Sequence, residues 1–244
     1  MEVFRNLVKA FLVNLDRNPD RLAFMDRQLR RLGIDYERVS AVDGKKLCEE
    51  EKKVAVNRVR SFFAVNRMLL DGEIGCVLSH LSIYRRMRND HLECALVFED
   101  DVKLEDDFID ICKKALEFVD VNRPQVVLFS APKNEKNPRS RNGIVKSQES
   151  FWCTDAYLIT LPAAGIIIKD NYPVSVYADA WKRWERYYGM ELYRIYPEVA
   201  HQDRVAYKTV IESAAYRPAF LKKFYFKLFG WWLNPVVNRL WLSR

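Results

Sequence analysis

The stretch Ala95-Leu96-Val97-Phe98-Glu99-Asp100-Asp101 decides how the chain is read. Four uninterrupted apolar residues mark a strand covered on both faces, as in the interior of an α/β sheet closed by helices on either side. Three carboxylates follow at once. Like charges so close raise one another's pKa unless something positive compensates, and a divalent cation is the usual compensation. The carboxyl end of a parallel strand is also where open α/β sheets hold ligands. If the strand continued, Glu99 and Asp101 would share one side and Asp100 the other, unless a turn breaks the alternation. Asp101, helped by Glu99 or Asp100, is therefore expected to hold Mn²⁺ or Mg²⁺ against a diphosphate. The alternative is a solvated acidic loop, since Glu105, Asp106 and Asp107 come soon after.

Toward the N-terminus, Ala10 to Leu15 reads as a buried strand ending at the polar turn Asp16-Arg17-Asn18-Pro19. Pro19-Asp20-Arg21 opens a helix with Leu22, Met25, Leu29 and Leu32 on one face and Gly33 past its end. Tyr36 to Val39 is a second strand, turned at Asp43-Gly44. Residues 45–71 read as helix or as a segment over the site. Gly72-Glu73-Ile74-Gly75-Cys76 is taken to precede a helix from about Leu78 to Asn89, with His80, Tyr84 and Met87 along one side.

Toward the C-terminus come an acidic turn from Asp101 to Asp107 and a helix using Phe108, Ile111, Cys112, Ala115, Leu116 and Val119. A strand at Val126 to Phe129 and a polar loop or small hairpin over 131–150 follow. A strand at Ala156 to Ile159 leads into a helix from Pro162 to Lys169. An aromatic stretch around Trp181, Trp184, Tyr187 and Tyr188 precedes a last strand from Tyr193 to Val199, which runs into His201-Gln202-Asp203.

With 244 residues, 49% hydrophobic and 30% charged, the chain supports one folded domain, expected over 1–215, with a tail over 216–244. A net charge of +7 favours anionic partners. No zinc-finger spacing, glycine-rich phosphate loop or RNA-binding aromatic pair accompanies that charge, so nucleic acid is not expected. The five cysteines are scattered and odd in number, which suggests reduced core thiols in a cytosolic compartment. Met1 to Leu15 reads as the first strand and not as a signal peptide, and no run of eighteen apolar residues offers a spanning helix. From Arg217 on there are six Lys or Arg, no acid, and aromatics including Phe224, Trp231, Trp232 and Trp241. Such a tail suits an interfacial anchor on an anionic membrane; an amphipathic helix packed on the body or on a second copy in a homodimer is the alternative.

Four motifs in order carry a family resemblance: Phe11 to Asp16 with Pro19-Asp20-Arg21; Ala41-Val42-Asp43-Gly44; Gly72 to Cys76 with Ser79-His80; and Ala95 to Asp101. Together they resemble glycosyltransferase family 25, which includes lipooligosaccharide galactosyltransferases of Gram-negative bacteria. The resemblance is dense over 10–105 and thin over 155–203. It implies an A-type glycosyltransferase fold, Rossmann-like, with a mixed, mostly parallel sheet covered by helices. It further implies inverting transfer from a UDP-sugar, most readily UDP-galactose, to a lipooligosaccharide or other lipid-linked glycan, usually with a divalent cation. Asn14 and Arg21 would then sit near the donor nucleotide, with Glu99, Asp100 and Asp101 as the acidic motif. Asp179 approximates an acidic position after a proline-bearing segment, and Pro197 with Gln202 resembles a late proline and glutamine. A peripheral enzyme on the cytoplasmic face of the inner membrane is the expected setting.

Inverting transfer needs a carboxylate to take the acceptor's proton. Asp179 and Asp155 are both available, with Asp179 slightly preferred; a helix cap or surface carboxylate is the alternative for either. His80 is a site candidate or a hydrogen-bonded core histidine, and His201 a cation ligand or a surface imidazole. Trp181 and Trp184 stack on an acceptor sugar or belong to the core. Glu73 caps a helix start. Ser79 and His80 are adjacent, which argues against a hydrolase triad. Two rival readings stand beside the transferase: a metal-dependent nucleotidyltransferase or phosphohydrolase, and a non-catalytic membrane scaffold.

Overall fold

Each interior strand feeds two cores at once. In the computed structural model, which describes residues 8–130, 143–147 and 153–202, strand β1 (Lys9–Asn14) sends Phe11 and Val13 to one face and Ala10 and Leu12 to the other. Helix α1 (Pro19–Arg31) follows, with proline in its first turn and Met25 and Leu29 buried, and then strand β2 (Tyr36–Ser40). A 3₁₀ turn at Gly44–Lys46, capped by Asp43, leads to helices α2 (Glu49–Ala55) and α3 (Arg58–Val65), so the segment 45–71 is largely helical.

Helix α4 (Asp71–Asn89) begins seven residues earlier than the sequence reading placed it. Glycine weakens a helix, which is why Gly72 and Gly75 read as a preceding loop. Gly75 is required for another reason: a Cβ there would meet the Val42 carbonyl oxygen at 2.3 Å, and one at Gly44 would meet the Asp71 carbonyl oxygen at 1.7 Å. The glycines let the 3₁₀ turn lie directly on the first turns of α4. Glu73 caps that start, its Oε2 accepting from the Leu70 N–H at 2.7 Å.

Strand β3 (Cys94–Glu99) is the apolar run that ends at the three carboxylates. The expected acidic turn after it contains a short strand, β4 (Val102–Leu104), with Val102 and Leu104 buried and Lys103 out; three residues of alternation are too few to stand out among acids. Helix α5 (Phe108–Phe118), strand β5 (Gln125–Leu128), strand β6 (Gly143–Lys146), strand β7 (Ala156–Thr160) and helix α6 (Leu161–Asp170) come next. Helix α7 (Trp181–Tyr188), strand β8 (Glu191–Tyr196) and strand β9 (Ala200–Gln202) complete the described chain. The tail at 216–244, Asp203 and most of the polar segment 131–150 lie outside the described residues.

The main sheet has the order β2-β1-β3-β7-β5-β8-β6. Pairings β1–β2, β1–β3 and β5–β8 are parallel, and β7 and β6 run against their neighbours, so five of seven strands share one direction. This is the mixed, mostly parallel α/β sheet of a Rossmann-like fold. Helices α4, α6 and α7 cover one face and α1 and α5 the other. Strands β4 and β9 form a separate antiparallel pair in which Val102 stands opposite Gln202.

Candidate functional site

Alternation along β1 and β3 sets the site. Asn14 continues the Ala10, Leu12 side, and Asp100 the Leu96, Phe98 side, so both emerge on the α1 face. Asn14, fully buried, donates from Nδ2 to Asp100 Oδ2 at 2.7 Å and to the Asn18 carbonyl at 3.0 Å. Arg21, in the first turn of α1, donates from Nη1 to Asp100 Oδ1 at 3.0 Å and lies 3.5 Å from Asp101 Oδ2. Gln202 is carried to Asp101 by the β4–β9 pair and donates to its Oδ2 at 3.2 Å. Among the described residues the other oxygen, Asp101 Oδ1, is buried without a partner. Burial, with Glu99 and Asp100 nearby, pushes the Asp101 carboxyl up to about 6 against the pull of Arg21.

The expected sidedness is half right. Glu99 and Asp100 do fall on opposite faces, but the turn at Asp100 and Asp101 breaks the alternation and takes Asp101 to Arg21, away from Glu99's partners. Glu99 Oε1 instead accepts from the Thr154 hydroxyl, lies 3.2 Å from His80 Nε2, and is approached by Cys76 Sγ at 4.0 Å. His80 Nδ1 is 2.7 Å from the Tyr157 hydroxyl, which is 2.7 Å from that of Tyr84. Burial would raise the Glu99 carboxyl; the bond and charge of His80, with Thr154 and Arg21, outweigh it and hold the group below its ordinary value.

Asp179 stands within electrostatic reach of Glu99 and Glu73, and burial with those two carboxylates pushes it up to about 7. Asp155 is buried where β7 meets the end of β3, its carbonyl accepting from the Glu99 N–H at 2.8 Å. At the carboxyl ends of β1 and β2 a cavity of about 270 Å³ opens between Leu15, Asp16 and Arg17 on one side and Val42, Asp43 and Lys46 on the other. It shares the end of β1 with Asn14. The switch point of the strand order, where open α/β sheets take ligands, lies beside it between β1 and β3, where Asn14 meets Asp100.

Three sequence candidates are not brought to this cluster. Trp181 and Trp184 are fully buried: Trp181 Nε1 donates to the Cys153 carbonyl at 2.9 Å, and Trp184 Nε1 to Asp170 at 3.0 Å. They are core residues, correcting the acceptor-stacking reading, because Trp181 packs edge to face on both Trp184 and Tyr157 inside the core. His201 is half exposed on β9, in register with Lys103 and 3.5 Å from Glu105, on the strand side opposite to Gln202. Ser79 accepts from the Val42 N–H at 2.8 Å and donates to the Gly75 carbonyl at 2.7 Å, a structural bridge. Sequence reading passed over Arg38, whose Nε donates to Asn14 Oδ1 at 3.1 Å, and the partners Thr154, Tyr157 and Cys76. A charge within the strand Tyr36-Glu37-Arg38-Val39 was the one available signal for Arg38; the others lie on elements whose mutual packing no local pattern encodes.

The family model described as "Glycosyltransferase family 25 (LPS biosynthesis protein)" matches residues 7–181. "Procollagen galactosyltransferase 2" of Homo sapiens is 31% identical over 176 residues, 67% of this chain and 28% of that protein. A "Glycosyltransferase 25 family member" of Drosophila melanogaster is 31% identical over 167 residues, 65% of this chain and 27% of that one. "Inactive glycosyltransferase 25 family member 3" of Homo sapiens is 31% identical over 165 residues, 64% of this chain and 28% of that protein. The chain therefore spans about a quarter of the length of these relatives.

Proposed function

The chain belongs to glycosyltransferase family 25, and from that premise we propose that it transfers galactose from UDP-galactose, with inversion, to a hydroxyl of a glycan acceptor such as a lipooligosaccharide. The observation that carries the reading is Asp101 Oδ1, buried and, among the described residues, unpartnered at the carboxyl end of β3 beside Asp100 and Arg21. A carboxylate in that state fits a divalent cation. Asp101, with Asp100 next to it, would hold Mn²⁺ or Mg²⁺, and when bound the ion offsets charge on the departing nucleoside diphosphate.

The chain's own residues supply the rest. Asn14 fixes Asp100 from behind, so the carboxylate keeps its orientation without a mobile side chain's entropy. Arg21 adds positive charge at the same point, and Gln202 donates to Asp101 Oδ2, the oxygen that Arg21 also faces. The cavity at Arg17, Val42 and Lys46 suits the nucleoside end of the donor. Asp179 takes the acceptor proton, because a carboxyl near neutrality accepts one without holding a costly fixed charge. Galactose is supported by the procollagen galactosyltransferases among the relatives. The basic aromatic segment from Arg217 on would hold the protein to an anionic surface, the cytoplasmic face of the inner membrane, where a lipid-linked acceptor lies.

Calorimetric titration of UDP-galactose, UDP-glucose and the two UDP-N-acetylhexosamines, with and without Mn²⁺, tests this reading. UDP-galactose is expected to bind in a cation-dependent way, and Asp101→Asn to weaken it at least about tenfold, or 1.4 kcal/mol. Transfer of labelled galactose to a glycan acceptor then separates an active enzyme from an inactive relative. Binding followed by cleavage of the diphosphate to UMP and galactose 1-phosphate would favour the phosphohydrolase rival, and no binding of any UDP-sugar would sink the proposal.

A further inference from the structure

We propose that Cys76, His80 and Glu99 form a second cation site, distinct from Asp101 and suited to a zinc-type ion. The observation is geometric. Cys76 and His80 are four residues apart on α4 and so share a face, and the end of β3 brings Glu99 against that face. Sulfur, imidazole nitrogen and carboxylate oxygen all lie within 4.8 Å of one another, with Nε2 3.2 Å and Sγ 4.0 Å from Oε1. Tetrahedral zinc, bonded at about 2.3 Å to sulfur and about 2.0–2.2 Å to nitrogen and oxygen, needs separations of about 3.3–3.6 Å. The nitrogen–oxygen edge is already close to that length, the sulfur–oxygen edge has to shorten by about 0.4 Å, and the sulfur–nitrogen edge lies within 4.8 Å.

The surroundings are those of an oriented ligand set. A metal on His80 Nε2 leaves the proton on Nδ1, which then donates to the Tyr157 hydroxyl 2.7 Å away, itself bonded to Tyr84. Outer partners of this kind fix the ring of metal-bound histidines. Thr154 does the same for the Glu99 carboxylate. With the thiol proton released on binding, thiolate and carboxylate carry two negative charges to match a dication. Thiolate with imidazole prefers zinc-like ions to Mn²⁺ or Mg²⁺, so the two sites sort ions by donor type. Glu99 turns to His80, Thr154 and Cys76 and Asp101 to Arg21 and Gln202, so the two sets share no residue. This site stands independently of the donor assignment: it needs no nucleotide and no transfer.

Cobalt substitution reads it. The full chain, stripped with chelator and titrated with Co²⁺, is expected to bind one equivalent with a thiolate-to-cobalt charge-transfer absorption and intense visible bands of tetrahedral Co²⁺. Asp101→Asn and Cys153→Ser should keep these signals, and Cys76→Ser should abolish them. Absence of the absorption in the wild type, its survival in Cys76→Ser, or its loss in Cys153→Ser overturns the site. If circular dichroism shows Cys76→Ser unfolded, X-ray absorption of the wild type loaded with one zinc decides. A single sulfur scatterer at about 2.3 Å supports the site, and a shell of nitrogen and oxygen alone refutes it.

Discussion

Asp179 sits where burial and the charges of Glu99 and Glu73 lift its carboxyl to about 7. A general base must be deprotonated to act, so activity should be present above that value and fall as pH drops through it; log kcat/KM against pH is expected to show a single rising limb centred near 7. Asp179→Asn should lower kcat by about 10²–10⁴ and remove the limb. Retention of both in the variant would transfer the role to Asp155. At this scale the sequence was informative where cost is local: three carboxylates after an apolar strand are expensive whatever surrounds them, so Glu99, Asp100 and Asp101 stood out. Strand alternation gave the opposite faces of Glu99 and Asp100, but the place of Asp101 was not legible, because the turn at Asp100 and Asp101 leads into the β4–β9 pair, whose second strand lies far along the chain. Tryptophans at helical spacing gave no sign of which way they face; Trp181 and Trp184 went inward.

Among the elements, the C-terminal end of α6 ties three helices together through one buried carboxylate. Asp170 accepts from Arg60 of α3 and from Arg183, Trp184 and Tyr188 of α7. Burial opposes its ionisation, but the bonds of Arg183 and Tyr188 and the charges of Arg183 and Arg60 prevail and hold it at about 2. A depressed carboxyl stabilises fully above its unfolded value, here 3.8, and the contribution fades as pH falls toward about 2. Asp170→Ala should therefore cost about 2–4 kcal/mol in urea unfolding at neutral pH, the cost of leaving partly buried arginines unpaired. Its deficit against the wild type should shrink between pH 4 and 2; a constant deficit would mean lost packing alone. The glycines give a second, paired expectation. Gly75→Ala drives a Cβ into the Val42 carbonyl and should lose more than about 2 kcal/mol. Gly165→Ala, inside α6 with open space around it, should gain about 0.4–1 kcal/mol, both read by thermal or urea unfolding.

For the molecule as a whole, the apolar runs announced the sheet, its interior strands and the helices over both faces. They did not announce that β7 runs backwards between β3 and β5. A strand covered on both faces reads the same in either direction, so only its packing partners fix its sense. The charge pattern has a consequence at this scale too. With +7 overall and no acid from Arg217 onward, the chain is expected to bind anionic vesicles. Binding should weaken as salt rises, and removal of 216–244 should abolish it in a vesicle sedimentation assay while the body stays folded. Equal binding to neutral vesicles would argue against the electrostatic anchor.

The bridge from Val42 to Ser79 reaches further than the packing it secures. Val42 belongs to a loop at the wall of the cavity, where a backbone amide would ordinarily trade its hydrogen with solvent quickly. Its N–H is instead held by a hydroxyl bonded to a carbonyl inside α4. That amide can exchange only when the loop parts from α4, so deuterium uptake at this one loop position gauges the coherence of cavity wall and helix. A molecule that seats itself against Val42 should slow that clock, and with it the opening of the helix that carries Cys76 and His80.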